Sequence, residues 1–357
     1  MMQTLSIDSA GEYLTTRGFV PRDERLTIRE LPGGVSNVVL LVERESGQRL
    51  VLKQALPRLR VAQQWLCSIE RIWREVDVLR LCGRLLESGV RGQESGVKGQ
   101  GGIVVRVPEV LIEDRENYCF GMTAAPAEHR TWKELLLAGQ AEGAIAAACG
   151  RLLGQLHVRS WNDPEIARQL DDRTFFRDLR ISPYYDRIRE VHRDLAEPIQ
   201  RLSDSIWQHR RCLVHGDFSP KNLLVAGGEL WLIDFEVGHF GDPAFDLGFF
   251  LTHLVLKAYV AGGRADEYLA LIDAFRGTYQ AEIFPVAGAD EFAQLWVRTC
   301  GALAGCLLAR VDGKSPVDYL TPNLQVAVRK TARDLLQRPP TSFDELLARV
   351  TAATQTA

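Results

Sequence analysis

The first third of the chain alternates between short apolar runs and turn residues. Residues 26–56 contain an apolar run, a Gly-Gly turn, the β-rich run VVLLV, a Glu-Ser-Gly-Gln turn and a further run around Lys53. Short runs of this kind, bounded by turn residues, are typical of strands. In residues 69–86, apolar side chains recur close to a 3.6-residue period with charges between them. The pattern predicts three strands followed by one amphipathic helix.

The pattern changes from strand type to helix type near residue 123. Residues 88–102 contain a near-exact tandem repeat, SGVRGQE SGVKGQG, which lacks large apolar side chains, so we expect a flexible insertion there. Two further strand candidates follow and end at Pro126, and helical periods dominate after it. We therefore predict an N-terminal lobe at 1–122, a hinge at 123–127 and a C-terminal lobe at 128–357.

Composition and charge exclude several classes of protein. The 357 residues are 46% hydrophobic with a formal net charge of −3, which predicts a globular protein without global attraction to nucleic acid. The seven cysteines are scattered without a C-x-x-C pair, which favours free thiols in a reducing compartment. The N-terminus lacks signal-peptide features, and the most apolar run, from residue 247, is too short and too polar to span a bilayer. We expect a cytoplasmic protein that binds neither nucleic acid nor membranes, and a homodimer stays open.

The candidate chemistry lies between two short apolar runs, in LVHGDFSPKNLLV at 213–225. His215, Asp217 and Asn222 have the register of the protein-kinase loop H-R-D-x-x-x-x-N, and Asp234 follows downstream like the kinase aspartate that holds Mg²⁺. A carboxylate can orient an acceptor hydroxyl and take its proton, which suits Asp217. Amide and carboxylate oxygens suit Mg²⁺, so we predict Asn222 and Asp234 as metal ligands. His215 is expected to anchor the loop.

Two alternatives fit the same residues. The motif can be a polar turn between strands, or His215, Asp217, Asp234 and His239 can form the metal site of a hydrolase. In the sequence, no second histidine cluster with metal-ligand spacing supports the hydrolase. The downstream aspartate at a matching distance favours phosphoryl transfer.

HGDFSPKN together with IDFE resembles the aminoglycoside phosphotransferase and choline kinase superfamily of small-molecule kinases. LPGGVSN is similar to the nucleotide loop of that superfamily, and the lysine of VLKQA matches its strand lysine. The resemblance implies a protein-kinase-like bilobal α+β fold, with an N-terminal antiparallel sheet carrying one helix and a mostly helical C-terminal lobe. ATP and Mg²⁺ are the implied cofactors. The implied nucleotide site consists of Gly33, Gly34, Ser36 and Asn37 in the loop, Lys53 with its ion-pair partner Glu75, and Met122 and Ala124 at the hinge.

Two segments are similar to methylthioribose kinases in particular. They are VLKQALPRLRVAQQWLCSIERIWREVDVL at 51–79 and the aromatic-rich TFFRDLRISPYYDRI at 174–188. The residues that follow HGD and those inside IDFE look more like the wider superfamily. The resemblance implies ATP-dependent phosphorylation of a hydroxyl on a small neutral or amino-bearing metabolite. Methylthioribose, an aminoglycoside, choline and homoserine are the candidate acceptors.

Candidate contacts for the acceptor lie in the predicted C-terminal lobe. Glu236 follows Asp234 by two positions and is expected on the same strand face, where it can hold a second metal through water or orient the acceptor. The other candidates are Arg177, Arg180, Tyr184, Tyr185 and His239. The competing classes are a nucleotide-binding module without turnover and an interaction scaffold built around the repeat at 88–102. Every polar position that phosphoryl transfer requires is filled, which favours an enzyme.

Overall fold

The computed structural model describes residues 4–31, 37–56, 67–87, 97–98 and 102–356, with 97–98 as backbone. Its strands are β1 Leu26–Glu30, β2 Asn37–Arg44, β3 Arg49–Ala55, β4 Val97–Lys98, β5 Val104–Arg106, β6 Val110–Asp114, β7 Cys119–Thr123, β8 Arg130–Thr131, β9 Cys212–Val214, β10 Leu223–Ala226, β11 Glu229–Leu232 and β12 His239–Gly241. Its α-helices are α1 Ile7–Thr16, α2 Arg71–Glu87, α3 Trp132–Leu137, α4 Gly143–Arg159, α5 Pro164–Gln169, α6 Thr174–Phe176, α7 Arg187–Val191, α8 Ala196–Gln208, α9 Pro243–Ala261, α10 Ala265–Asp312, α11 Pro322–Gln337 and α12 Phe343–Gln355. A π-helix spans Arg177–Asp186, and 3₁₀ turns span Arg193–Leu195, Pro220–Asn222 and Gly262–Arg264.

The first sheet is antiparallel, with the strand order β1-β2-β3-β7-β6. Its first three strands are the three that the apolar runs predicted. The sheet is covered on both faces. Helix α2 packs on the face that carries Leu41 and Val51, and α1 packs on the face that carries Leu40 and Leu52. Helix α1 was not predicted, because its buried side chains occupy barely more than one turn.

A second sheet, ordered β4-β5-β11-β10-β8, lies on the C-terminal side of the molecule. Strand β5 pairs in parallel with β11, with Val104 opposite Glu229, although β5 precedes β6 and β7 of the first sheet in the chain. Most of the predicted flexible insertion at 88–102 lies outside the described residues, and its Val97–Lys98 forms the short strand β4 against β5. The backbone therefore enters the second sheet before it completes the first.

The C-terminal region is built around α9 and α10, which pack against each other, and α4 packs on α10. The long helix α10 is broken at Gly288, whose φ of +75° is non-helical. The antiparallel sheet followed by a mostly helical region confirms the predicted α+β class.

One helical stretch, Pro243–Asp312, meets the length and composition criteria for a membrane span among the described residues. Its most apolar window has a mean hydropathy of 1.4, and 89% of that window is buried inside the protein. Core helices of soluble proteins have the same property, so the apolarity is accounted for by packing.

Close packing of α9 on α10 depends on Gly248. A Cβ at this position would lie 2.5 Å from Cβ of Ala302 and 2.7 Å from the backbone nitrogen of Leu303. We therefore expect Gly248→Ala to lower the free energy of unfolding by about 1–3 kcal/mol, because the helices must move apart. Urea denaturation measures the change.

The control is Gly277→Ala in α10, where a Cβ would meet nothing within 4 Å. Alanine is favoured over glycine inside a helix, so this variant should gain about 0.5–1 kcal/mol. Equal effects of the two substitutions would contradict the packing argument.

Candidate active site

A buried lysine of the first sheet meets two carboxylates from other elements. Lys53 lies in β3, opposite Val39 on β2 and Phe120 on β7. Its Nζ is 2.6 Å from Oε1 of Glu75 on α2 and 3.2 Å from Oδ1 of Asp234, which follows β11. The Glu75 side chain is fully buried. The structure thus brings together three residues that the sequence analysis assigned to one site.

Burial and ion pairing act on these groups in opposite directions. Burial lowers the pKa of Lys53, but three neighbouring carboxylates, led by Glu75, outweigh it and raise the pKa above its ordinary value. Burial raises the pKa of Glu75 above its ordinary range, against the opposing charge of Lys53. Burial also raises the pKa of Asp234, but the charges of Lys53 and Lys221 outweigh it, so this pKa is lowered. Lys53 is therefore a fixed positive charge beside an ionised aspartate.

One buried carboxylate holds the HGD loop, residues 215–217. Oδ2 of Asp246 on α9 accepts a hydrogen bond from the backbone N–H of His215 at 2.7 Å, and Oδ1 accepts one from Gly216 at 2.8 Å. His157 of α4 contacts Oδ2 through Nε2 at 3.4 Å. Gly216 has a φ of +77°, and a Cβ there would lie 2.9 Å from the carbonyl oxygen of Val237. The turn therefore requires glycine.

The Asp217 carboxylate lies among two cations and an amide. Nη2 of Arg180 is 2.7 Å from Oδ1, and Nζ of Lys221 is 2.8 Å from Oδ2. Asn222 donates from Nδ2 to Oδ2 at 2.9 Å, and the N–H of Asp217 donates to Nδ1 of His215 at 3.1 Å. Burial raises the pKa of Asp217, but Arg180 and Lys221 outweigh it and hold the pKa far below its ordinary range. Asp217 is ionised and held in one orientation.

Three carboxylates form a group with the geometry of a cation site. One oxygen from each of Glu75, Asp234 and Glu236 lies within 4.8 Å of the others. The prediction that Asp234 and Glu236 share a strand face is wrong, because β11 ends at Leu232. Asp234 has a φ of +73°, which is unfavourable for a residue with a Cβ, so the surrounding contacts must hold the turn. The turn, and not a strand, brings the two carboxylates together.

A fully buried arginine connects Glu236 to the first sheet. Nε of Arg71, at the start of α2, is 3.2 Å from Oε2 of Glu236. Asn37, at the start of β2, donates from Nδ2 to the same oxygen at 3.3 Å. Arg71 also donates to the carbonyl oxygens of Leu56 and Ser68. Asn37, which was predicted in the nucleotide loop, therefore lies beside the carboxylate group.

Some of the remaining residues of the predicted nucleotide site lie in β7 or just after it, and others lie outside the described residues. Gly33, Gly34 and Ser36 lie outside the described residues. Met122 is a buried residue of β7, the strand beside that of Lys53, and Ala124 follows the end of β7. Their contacts with nucleotide stay a prediction.

The predicted acceptor contacts divide between the site and the core. Arg180 contacts Asp217, and the Tyr184 ring centroid is 5.9 Å from the Arg180 guanidinium carbon. Arg177 is exposed on the same π-helix, and its role stays a prediction. Tyr185 is fully buried in the core. Burial lowers the pKa of His239 to about 3, and its ring stacks in the core, so it is a neutral packing residue.

The sequence patterns predicted no role for Asp246, Arg71 or Lys221. Asp246 is a lone carboxylate in the apolar stretch from 243, and Arg71 lies between apolar positions on the buried side of α2. A charge in such a setting is a signal of a buried polar network. Lys221 is part of the HGDFSPKN motif itself, and only its distance from Asp217 reveals its function in the loop.

Most of the chain matches one known protein family. Residues 27–282 match the phosphotransferase enzyme family. The chain belongs to this family. A methylthioribose kinase of Pectobacterium atrosepticum is 27% identical to this phosphotransferase over 290 residues, which cover 72% of this chain and 67% of the relative. Methylthioribose kinase 2 of Oryza sativa subsp. japonica is 26% identical over 274 residues, which cover 69% of this chain and 60% of the relative. The family and these relatives confirm the prediction of a small-molecule kinase, and a kinase uses ATP.

Solved structures agree with the fold of the phosphotransferase. A choline kinase from Cryptosporidium parvum aligns with a TM-score of 0.53 at 12% identity, covering 98% of this chain and 95% of that chain. An ethanolamine kinase of Plasmodium vivax aligns with a TM-score of 0.51 at 11% identity, covering 96% and 86%. At such identities the likeness concerns the fold alone, and it confirms the predicted protein-kinase-like architecture.

The contacts of Asp246 lead to a prediction on stability and its dependence on pH. Burial raises the pKa of Asp246, but hydrogen bonds from His157 and from the backbone of the HGD loop outweigh it, so the pKa is lowered. Asp246→Asn should therefore lose about 2–4 kcal/mol of unfolding free energy at pH 7, since buried donors lose a charged acceptor. A carboxylate with a lowered pKa stabilises the fold above its unfolded pKa and loses this effect as the pH falls. The difference from wild type should stay constant between about pH 5 and 8 and narrow below about pH 4.

Denaturation at several pH values measures the difference. The exposed Asp273 on α10 provides the matched control, because Asp273→Asn should change stability by less than about 0.5 kcal/mol at any pH. A small, pH-independent effect of Asp246→Asn would show that the HGD loop does not depend on this carboxylate.

Proposed function

We propose that this phosphotransferase moves the γ-phosphoryl group of ATP to a hydroxyl of a small acceptor, with Mg²⁺ bound at the carboxylate group. The observation that carries the proposal is the convergence of a fixed cation, Lys53, with a cation-binding group of carboxylates and the ionised Asp217. Phosphoryl transfer depends on positioning and on charge stabilisation, and these are the parts it requires.

Asp217 is the proposed base. The acceptor oxygen forms a bond to the γ-phosphorus while the bond from that phosphorus to the bridging oxygen of ADP breaks, and the acceptor proton passes to Asp217 and then to solvent. Arg180 and Lys221 keep the pKa of Asp217 low against the effect of burial. The carboxylate is therefore a weak base, which orients the hydroxyl and takes the proton late, after the new bond has made it acidic.

Lys53 is the proposed partner of the nucleotide phosphates, with Glu75 holding it in place. The Nζ of Lys53 is 2.6 Å from Glu75, and the pair is buried, so the lysine cannot swing away. Asn37 and the loop residues before it are proposed to approach the phosphates, and Met122 and Ala124 to border the adenine. Backbone N–H groups and small side chains allow such an approach.

The carboxylate group fits a hard cation, because Mg²⁺ prefers carboxylate and amide oxygens. Glu75 is fully buried and holds Lys53 at the shorter distance, whereas the Asp234 side chain is partly exposed, so we assign the ion to Asp234, with Glu236 beside it. Asn222 uses its amide nitrogen for Asp217, which leaves its oxygen as the proposed ligand. The bound ion would neutralise phosphate charge.

Methylthioribose is the first candidate acceptor, because the relatives at about a quarter identity are methylthioribose kinases. Aminoglycosides, choline and homoserine are the other candidates. Arg180 and Tyr184 border Asp217 and are the proposed acceptor contacts. A two-lobe division at 123–127 and a cytoplasmic location belong to the same proposal. The location is supported by seven cysteines that are all buried and free.

The experiment that tests the function scores acceptor-stimulated ADP release over a panel containing methylthioribose, choline, homoserine and aminoglycosides. Stimulation by a small alcohol is expected, and none by a generic protein. Asp217→Asn should lower kcat by about 10²–10⁴-fold because the proton acceptor is lost, while the affinity for MgATP stays within a fewfold. Asp273→Asn serves as the matched control and should keep full activity. Tight ATP binding without stimulation by any acceptor would favour a binding module.

The metal assignment gives a separate prediction. Asp234→Ala should weaken MgATP binding by at least about tenfold in calorimetry, because the ion loses its main carboxylate. The affinity of Asp234→Ala for ATP without metal should equal or exceed that of wild type, because a negative charge is removed from beside Lys53. Unchanged MgATP affinity would remove Asp234 from the metal site.

A further inference from the structure

A second set of buried basic side chains lies on α9 and α10. Arg310, near the end of α10, is 7% exposed, and Lys257 on α9 is 2% exposed. Both contact His253. Nη2 of Arg310 is 3.2 Å from its Nε2, and Nζ of Lys257 is 3.4 Å from its carbonyl oxygen. Arg310, Lys257 and His253 are called the basic cluster below.

The basic cluster lies beside the groups that hold Asp217. The guanidinium carbon of Arg310 is 5.2 Å from the ring centroids of both Tyr184 and Phe249. That of Arg180 is 5.9 and 5.4 Å from the same two rings. Arg180 in turn contacts Asp217 at 2.7 Å. The two rings therefore lie beside both arginines, and Arg310 is close enough to Asp217 for its charge to lower the pKa of that carboxyl.

The two cations of the basic cluster make only neutral contacts in the part of the chain that the structure describes. Arg310 donates to the carbonyl oxygen and hydroxyl of Ser315, and its Nε, although buried, has no hydrogen-bond partner. Lys257 is 3.5 Å from the hydroxyl of Tyr319. The carboxylate of Asp318 is paired with Lys133 instead. Within the described ranges, neither buried cation thus has an ion-pair partner, and the carboxylates of Asp217 and Asp318 act on Arg310 and Lys257 only from a greater distance.

Such an arrangement is unfavourable in the free protein. An arginine stays protonated in any protein environment, and a buried charge without a counter-ion is strongly destabilised. Burial, with the charges of Lys133 and Arg310, lowers the pKa of Lys257 to about 7, because the opposing charge of Asp318 is too weak to compensate for them. Buried groups of this kind are concentrated at binding sites, where a ligand supplies the missing charge.

We propose that the basic cluster binds an anionic group of the acceptor, so that the acceptor is a hydroxyl compound carrying a carboxylate or a phosphate. This rests on the proposed function, since it names the class of acceptor at the same site. Arg310 has an unused N–H to offer, Lys257 adds a point charge, and the rings of Tyr184 and Phe249 pack against the carbon skeleton. Among the acceptors of the proposed function, this class keeps homoserine, which carries a carboxylate, and excludes methylthioribose, the first candidate from the relatives. Methylthioribose has no charge and leaves the basic cluster unbalanced.

The first test measures anion binding without turnover. Mg²⁺ and AMP-PNP fill the nucleotide site, and inorganic phosphate or acetate is added at constant ionic strength while thermal unfolding is followed. One of the two anions should raise the Tm of wild type by at least about 2 °C at tenfold excess over its Kd. Lys257→Met and Arg310→Met should lose this rise. The exposed Lys330 provides the matched control, and Lys330→Met should keep it.

A second readout separates binding from a purely structural role. Without anion, Lys257→Met should unfold at the same temperature as wild type or higher, because an unbalanced buried charge is replaced by an apolar side chain. A structural lysine would instead leave the variant less stable.

The second test compares matched acceptors by ADP release, namely gluconate with glucose, glycerate with glycerol, and ribose 5-phosphate with ribose. For an accepted pair, kcat/KM should be at least about tenfold higher for the anionic member. In Lys257→Met and Arg310→Met the two members should become nearly equal, while KM for ATP is unchanged. The carboxylate and phosphate pairs distinguish the two kinds of anion.

Equal Tm shifts in wild type and both variants would mean binding elsewhere and would overturn the proposal. If Arg264→Met but not Arg310→Met lost the anion-induced rise in Tm, the anion would lie in the 160 Å³ cavity that Lys257 borders with Arg264. This result would also overturn the proposal. Preference for the neutral acceptors would overturn the proposal and leave the kinase function intact. An intact anion shift with no ADP release for any acceptor would count against the proposed function alone.

Discussion

The position of the HGD loop depends on the buried carboxylate of Asp246. Its two oxygens accept hydrogen bonds from consecutive backbone N–H groups, and this arrangement is possible because Gly216 turns the chain in the left-handed region. The carboxylate belongs to α9, and α9 is fixed against α10 by the close approach at Gly248. The location of Asp217 is therefore set by the packing of helices that do not themselves carry it. Arg180 and Lys221 then set its charge.

Charges of opposite sign are separated across the site. Around Lys53, the carboxylates of Glu75, Asp234 and Glu236 are opposed by Lys53 and Arg71. Around Asp217, Arg180 and Lys221 make direct contact, and Arg310 lies beside the same tyrosine ring as Arg180. A carboxylate-rich half suits a cation with its phosphates, whereas a cation-rich half suits an anionic acceptor. The transferred group would cross from one half to the other, and both negatively charged reactants can approach because each has its own set of counter-charges.

The elements and site residues that were predicted from the sequence are determined by residues close together in the chain. The three strands β1–β3 and the helix α2 follow from periodicity, and Asp217 and Asn222 follow from a fixed spacing within one loop. Asp246 is 31 residues from His215, and Arg310 comes from the end of another helix, so no spacing rule connects either of them to the loop. Alternation of side chains along a strand led us to place Asp234 and Glu236 on one strand face. Strand β11 instead ends at Leu232, and Asp234 has a positive φ. The sequence patterns do not predict which buried faces of the helices and strands pack against each other. Contacts between distant segments of the chain decide this.

The pairing of β5 with β11 has a mechanical consequence. The backbone passes between the two sheets before Val97, after Arg106 and after Thr123, because β4, β5 and β8 belong to the second sheet while β3, β6 and β7 belong to the first. A single connection between the two sheets would let them rotate freely relative to each other. Several connections, one of them held by the β5–β11 strand pair, resist twisting, so bending about a common line is the motion that costs least. Escape of a spent nucleotide would then be timed by the stiffness of these crossings as much as by the strength of its contacts.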